Sequence, residues 1–137
     1  MKYDKARIHM FRVPENAELV EYLTKYAVKN GVRTGWINVL GSVIDPVLGY
    51  YDKARGEYLK NKLEGFYELV NGTGNISLKN DEPTVHLHVA IADRNSHVYG
   101  GHLFEARVFM VEALIIEALG DKFLVRRNIG GNLWAWD

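Results

Sequence analysis

Residues 84–103 read TVHLHVAIADRNSHVYGGHL and hold four of the five histidines of the chain. Side chains of an extended strand alternate between its faces, so Val85, Leu87, Val89 and Ile91 share one side while His86 and His88 share the other. One face is oily. The other carries two imidazoles separated by about 6–7 Å of backbone rise, close enough to converge on one ion. The run Asp93-Arg-Asn-Ser96 has turn composition, so a second strand can return beside the first. Gly100-Gly101-His102 then offers a third imidazole from a bend that glycine permits. Three neutral imidazoles near one point outline a metal site; they suit Zn²⁺ best, with Ni²⁺, Fe²⁺ and Cu²⁺ as alternatives because affinity alone does not choose among them.

A chain of 137 residues has the usual size of one domain and can bury a core without covalent staples, so a single domain over 1–137 is expected. Hydrophobic residues make up 47% and charged residues 25%, ordinary values for a globular protein. No segment approaches the roughly 20 apolar residues that cross a bilayer, and the N-terminal residues lack the apolar core of a signal peptide. A soluble, cytoplasmic protein is expected, with no membrane partner. The chain has no cysteine, which excludes disulfides and thiolate ligands, so any transition metal must be held by histidine and carboxylate. Lys and Arg total 17, as do Asp and Glu, which leaves no net field for a polyanion and argues against direct DNA binding. The densest basic spot, Arg126-Arg127 preceded by Lys122, reads as a solvated face.

Taken in order, Arg7 to Val13 alternates as a strand that Pro14 ends. From Asn16 to Asn30 the apolar residues Leu19, Leu23, Tyr26 and Ala27 recur at helical spacing, with Asn16 as N-cap and Gly31 at the C′ position. Trp36 to Val47 is a β-favouring run interrupted at Gly41-Ser42, where a bulge is expected. Leu48 to Tyr51 continues it before a turn at Asp52 to Gly56. Tyr58 to Leu63, rich in lysine, fits a sheet edge. Gly65 to Val70 and Asn75 to Leu78 read as a hairpin around the glycine-rich Asn71-Gly-Thr-Gly74, and Lys79 to Pro83 as a polar loop. Arg107 to Leu119 suits neither a clean helix face nor a clean strand face, although its Val and Ile content favours strand. Phe123 to Arg126 reads as a short strand and Asn128 to Asn132 as a loop before Leu133 to Trp136. Many short strands and one clear helix define an α+β fold with a mostly antiparallel β-sheet and one main N-terminal helix packed on it.

Four stretches together, Leu63-Glu-Gly-Phe-Tyr-Glu-Leu-Val70, Gly72-Thr-Gly74, His86-Leu-His88 and Gly100-Gly-His-Leu103, resemble the PPC domain, the plants-and-prokaryotes conserved domain. The order of elements agrees over nearly the whole chain, including Gly41-Ser42. The resemblance implies an antiparallel α+β fold, assembly as a homotrimer, and strand for Val108 to Ala118. Plant members join the domain to an AT-hook and act in transcription; this chain contains no such arm. Their Gly-Arg-Phe-Glu-Ile-Leu contact motif falls on Gly65, Phe66, Tyr67, Glu68, Leu69 and Val70, with Phe66 in place of the arginine, which weakens transfer of that partner-binding role. The fold is also remotely similar to that of acetolactate decarboxylase and a group of zinc-dependent ester hydrolases, whose three-histidine arrangement bears on His86, His88 and His102.

Three protein ligands leave a fourth position for a small-molecule ligand, so a metal-dependent lyase or hydrolase acting on a small carbonyl or ester is the alternative to a metal-binding protein of undetermined role. Such chemistry needs a proton donor or acceptor, for which Glu105, Glu64, Glu68 and Glu112 are candidates, and no catalytic residue is assigned. A transcription-associated binding module, working through Gly65 to Val70, is the third reading. His9 and His97 read as ordinary polar residues.

Overall fold

Strand follows strand wherever apolar residues alternate, and all residues, Met1–Asp137, are described by the computed structural model. The elements are β1 (Lys5–Val13), α1 (Leu19–Asn30), β2 (Gly35–Asp52), β3 (Glu57–Lys62), β4 (Phe66–Lys79), β5 (Glu82–Ala92), β6 (Val98–Leu119), β7 (Arg126–Gly130) and β8 (Leu133–Trp136). Six strands form one antiparallel sheet in the order β1-β6-β5-β4-β2-β3, and β2 also pairs with β6. That extra pairing closes β2, β4, β5 and β6 into a barrel-like ring, which leaves β1 and β3 as the two edges. The fold is the expected α+β arrangement with a single helix. Lysine-rich β3 is indeed an edge strand, where charge discourages unwanted pairing. The segment 108–118 is strand throughout.

The two longest strands must bend to close the ring, and bulges let them. Register shifts fall between Val39 and Gly41, between Ser42 and Val43, and around Pro46. Gly41 has φ +140° and a Cβ there would collide with the backbone carbonyl of Met110, so glycine is required by both conformation and close approach. The bulge expected at Gly41-Ser42 is present.

Helix α1 buries Leu19, Leu23 and Ala27 against the sheet and Gly31, at φ +68°, closes it as expected. Its N-cap is Glu18, not Asn16. The Glu18 carboxylate accepts hydrogen bonds from the backbone N–H of Val20 and Glu21 and from that of Ala106 in β6. Asn16 instead adopts φ +65° and its backbone N–H donates to Val108 O, so the side chain with longer reach takes the cap and ties the helix to the sheet.

Two turns differ from expectation, and at the first of them glycine serves close strand contact, not reversal. Residues 71–74 lie inside continuous β4. A Cβ on Gly74 would collide with the carbonyl of His86, and one on Gly72 with the Val39 side chain. The reversal into β5 is made by Asn80 and Asp81, at φ 52° and 65°, the two-residue turn that Asn and Asp tolerate. At the second, Phe123 to Val125 is not a strand element; β7 begins at Arg126 and takes in most of the expected loop, pairing with β8 across a two-residue turn at Gly131 and Asn132, with φ 122° at Gly130, the last residue of β7, and 56° at Gly131.

The core is continuous and aliphatic, with Ile37, Ile76, Leu87, Ile91 and Ile115 fully buried together with Leu19 and Leu23. Val85, Leu87, Val89 and Ile91 form the oily face of β5 as their alternation requires. No helix is long and apolar enough to cross a membrane.

Candidate metal centre

With its oily face committed to the core, β5 must turn His86 and His88 to the opposite side. Register then supplies the third ring: His88 pairs directly with His102 of β6. His102 comes from inside a strand, not from a bend. Gly100 and Gly101 act by close approach, because Cβ atoms there would press on the carbonyl oxygens of Val89 and Gly49 at 2.8 and 2.7 Å.

One ligand atom from each of His86, His88 and His102 can be chosen so that all lie within 4.8 Å of one another, a group that could hold a metal ion. The Nε2 atoms of His86 and His88 are 3.2 Å apart, close to the separation of about 3.3 Å that two nitrogens have across a tetrahedral zinc ion with bonds of about 2.0–2.1 Å. The Nδ1 of His102 is buried with no hydrogen-bond partner. Burial pushes the His86 and His102 rings down to about 4, with the Arg126 charge and the neighbouring imidazoles adding to the effect. Burial also lowers His88. All three rings are therefore neutral at pH 7, the state in which imidazole can ligate. No Asp, Glu or fourth His joins the group.

The depressed values predict a pH dependence for metal-free protein. An unfolded histidine takes up its proton near 6.5, whereas His86 and His102 in the fold do so near 4. Between these values the unfolded chain binds more protons, so stability is lost as pH falls from about 6.5 to about 4. The urea midpoint of chelator-treated protein is expected to drop more between pH 7 and pH 4.5 than that of a variant with all three histidines replaced by alanine. An equal drop in both contradicts this.

His86 and His102 line a cavity of about 600 Å³. Tyr58 and Phe104 stand beside His102, with ring centroids 5.2 and 4.6 Å away. Arg126 and Trp134 form another part of the wall, brought in by the β7–β8 hairpin. Arg126 is only 7% exposed, so it does not belong to a solvated basic face. Its guanidinium donates to Ser77 Oγ, Asn75 Oδ1 and Trp134 O. Arg127 stays at the surface, paired with Asp137 at 2.7 Å.

None of the four candidate glutamates lies in this cavity. Glu105 borders a separate cleft with Asp45 and Arg107, Glu64 and Glu68 another with Asp93 and Arg94, and Glu112 sits on β6 opposite Arg12 and Leu40. The carboxylate that does line the histidine cavity is Glu57. Neither Glu57 nor Tyr58 carries a spacing signal, because both arrive from β3, far from the histidines in sequence. His97 is exposed and bound to Asp93, an ordinary polar residue. His9 is more than that: its side chain is 10% exposed and lies between Tyr26 Oη at 3.1 Å and Glu117 Oε2 at 3.0 Å, a buried polar link between β1, α1 and β6.

An antiparallel α+β barrel with a trio of histidines on one strand pair defines a class of small domain that could carry a metal. The chain belongs to the Plants and Prokaryotes Conserved (PCC) domain family, whose pattern matches residues 2–119. It is similar to the plant- and prokaryote-conserved (PPC) protein of Pyrococcus horikoshii, at 37% identity and TM-score 0.93, covering 100% of this chain and 97% of that one. A metal-containing protein from Archaeoglobus fulgidus is similar at 29% identity and TM-score 0.91, covering 98% and 96%. A candidate DNA-binding protein from Bacteroides thetaiotaomicron shares the fold at 23% identity and TM-score 0.87, covering 99% and 96%. No match is found among curated proteins.

Proposed function

We propose that this single PPC-type domain is a zinc-binding protein whose His86, His88 and His102 hold the ion, and that it works in the cytoplasm as a homotrimer. The observation that carries the metal assignment is the convergence of three neutral ring nitrogens within 4.8 Å, one pair already at zinc-like spacing. The similarity to a metal-containing archaeal protein supports it. Metal analysis of protein purified without chelator tests it: about one equivalent of zinc per chain is expected, and metal far below stoichiometry contradicts it.

Support for the trimer comes from the outer face of the β1-β6-β2 sheet. Ile8 and Met10, 65% and 78% exposed, stand opposite Ile116 and Leu114, and Trp36, also at the surface, flanks Ile116 on its other side. A contiguous apolar patch of this kind marks an interaction surface. The plant-type contact strand offers less, since Tyr67 and Leu69 turn inward while Phe66, Glu68 and Val70 remain exposed; any partner there reads those three side chains and Gly65. Equal numbers of cations and acids keep direct DNA binding out of the reading.

A second reading is a lyase or hydrolase acting on a small carbonyl or ester, and the cavity beside the histidines favours it. Only three side chains contribute to the cluster, so a metal held there would keep a fourth position for a small ligand. Zinc bound there supplies a Lewis acid that polarises a carbonyl or ester oxygen. Tyr58 and Glu57, with Lys60 and Lys79, are groups lining the cavity that could give or take a proton, and Phe104 and Trp134 add apolar wall.

A further inference from the structure

The charge lining the histidine cavity is strongly one-sided although the chain as a whole is neutral. Lys60, Lys79 and Arg126 face it, against Glu57 alone. The other two clefts are not cationic: one sets Glu18, Asp45 and Glu105 against Lys62 and Arg107, the other Glu64, Glu68 and Asp93 against Arg94. Neither lysine is spent on an ion pair. Lys60 Nζ lies 4.4 Å from the centroid of the Phe104 ring and Lys79 Nζ 4.2 Å from that of Trp134, so both ammonium groups are held over aromatic walls of the cavity.

Arg126 is the more telling of the three. A guanidinium has five N–H donors and normally meets a carboxylate when buried, because an unpaired buried charge is costly. Here all three acceptors, Ser77 Oγ, Asn75 Oδ1 and Trp134 O, are neutral, and no carboxylate forms an ion pair with it. Two donors remain for something outside the chain. Desolvation lowers the Arg126 pKa for the same reason. A fold that keeps a buried guanidinium without a counter-ion, on the wall of a cavity with two further cations, has left the counter-ion to a ligand.

We propose that this cavity binds a small molecule bearing an oxyanion, a carboxylate or a phosphate, with Arg126 as its anchor and Lys60 and Lys79 at the rim. The inference deepens the metal reading of the same cavity: the anionic end lies toward Arg126 and the other end toward the histidines. It narrows the ligand class from any small carbonyl or ester to an acidic one.

The test is calorimetric titration of malonate, inorganic phosphate and the neutral analogue malonamide into chelator-stripped and zinc-loaded protein. In stripped protein at least one anion is expected to bind, malonate if the site is built for carboxylate and phosphate if for phosphoryl groups, while malonamide does not. Arg126→Gln is expected to weaken that binding by about 10- to 100-fold, with zinc content unchanged. Lys60→Gln/Lys79→Gln, which alters two groups at the cavity rim, is expected to weaken it several-fold and serves should Arg126→Gln fail to fold. Undetectable binding of both anions to stripped protein, equal binding of malonamide, or unaltered anion affinity in folded variants overturns the proposal. Because zinc content is measured separately, a failure of the anion site is distinct from a failure of the metal site.

Discussion

Replacing His86, His88 and His102 together by alanine is expected to abolish stoichiometric zinc, with affinity falling on the order of 10³-fold or more, because no other His, Asp or Glu joins the cluster to take over. The fold is expected to survive. His88 is exposed, and the substitution of His102 removes a buried nitrogen that has no partner, which offsets part of the cost of the space left behind. The variant therefore separates metal loss from misfolding. Zinc added to stripped wild-type protein is expected to raise its melting temperature by several degrees, since ligand at 100 times its Kd stabilises by about 2.7 kcal/mol, and to leave the variant unchanged. Zinc retained by the variant at wild-type affinity would place the ion elsewhere.

The second large effect concerns assembly. Fully burying an aliphatic side chain contributes about 1.5–3 kcal/mol, so Ile8 and Met10 on each of three subunits put on the order of 10 kcal/mol into the proposed trimer. Their positions on edge strand β1, opposite Ile116 and Leu114, leave them outside the core of the single chain. Ile8→Lys/Met10→Lys is thus expected to keep the fold and lose the assembly. By sedimentation, wild-type protein should run at three times the 15.6 kDa chain mass and the variant at the chain mass itself. All three histidines come from one chain, so the dispersed variant is expected to keep its zinc. A variant that still sediments with the wild type would show that this face is not the interface.

Much of this was legible in sequence because it depends on short-range geometry. The two-residue period of β5 separates Val85, Leu87, Val89 and Ile91 from His86 and His88 without reference to any neighbour, and the turn at Asp93–Ser96 follows from its own residues. Helix α1 declares itself by Leu19, Leu23 and Ala27. What sequence hid was long-range or ambiguous in kind. Glycine marks a turn and a close strand contact alike, so Gly72 and Gly74 suggested a reversal that Asn80 and Asp81 perform. The closure of β2 onto β6, residues 35–49 against 102–117, rests on bulges whose consequence no local pattern reveals. Arg126 looked like half of a basic surface doublet because its partners, Asn75 and Ser77, lie about 50 residues away. No spacing marks which carboxylate shares the histidine cavity, so Glu105, Glu64, Glu68 and Glu112 stood as candidates for proton transfer, and the fold places all four outside it.

Zinc-edge X-ray absorption on protein purified without chelator tests the three-histidine centre most directly. The account predicts near-stoichiometric metal with three imidazole nitrogens at about 2.0–2.1 Å and a light-atom fourth ligand. An absent metal signal, or a shell without imidazole scattering, would contradict it.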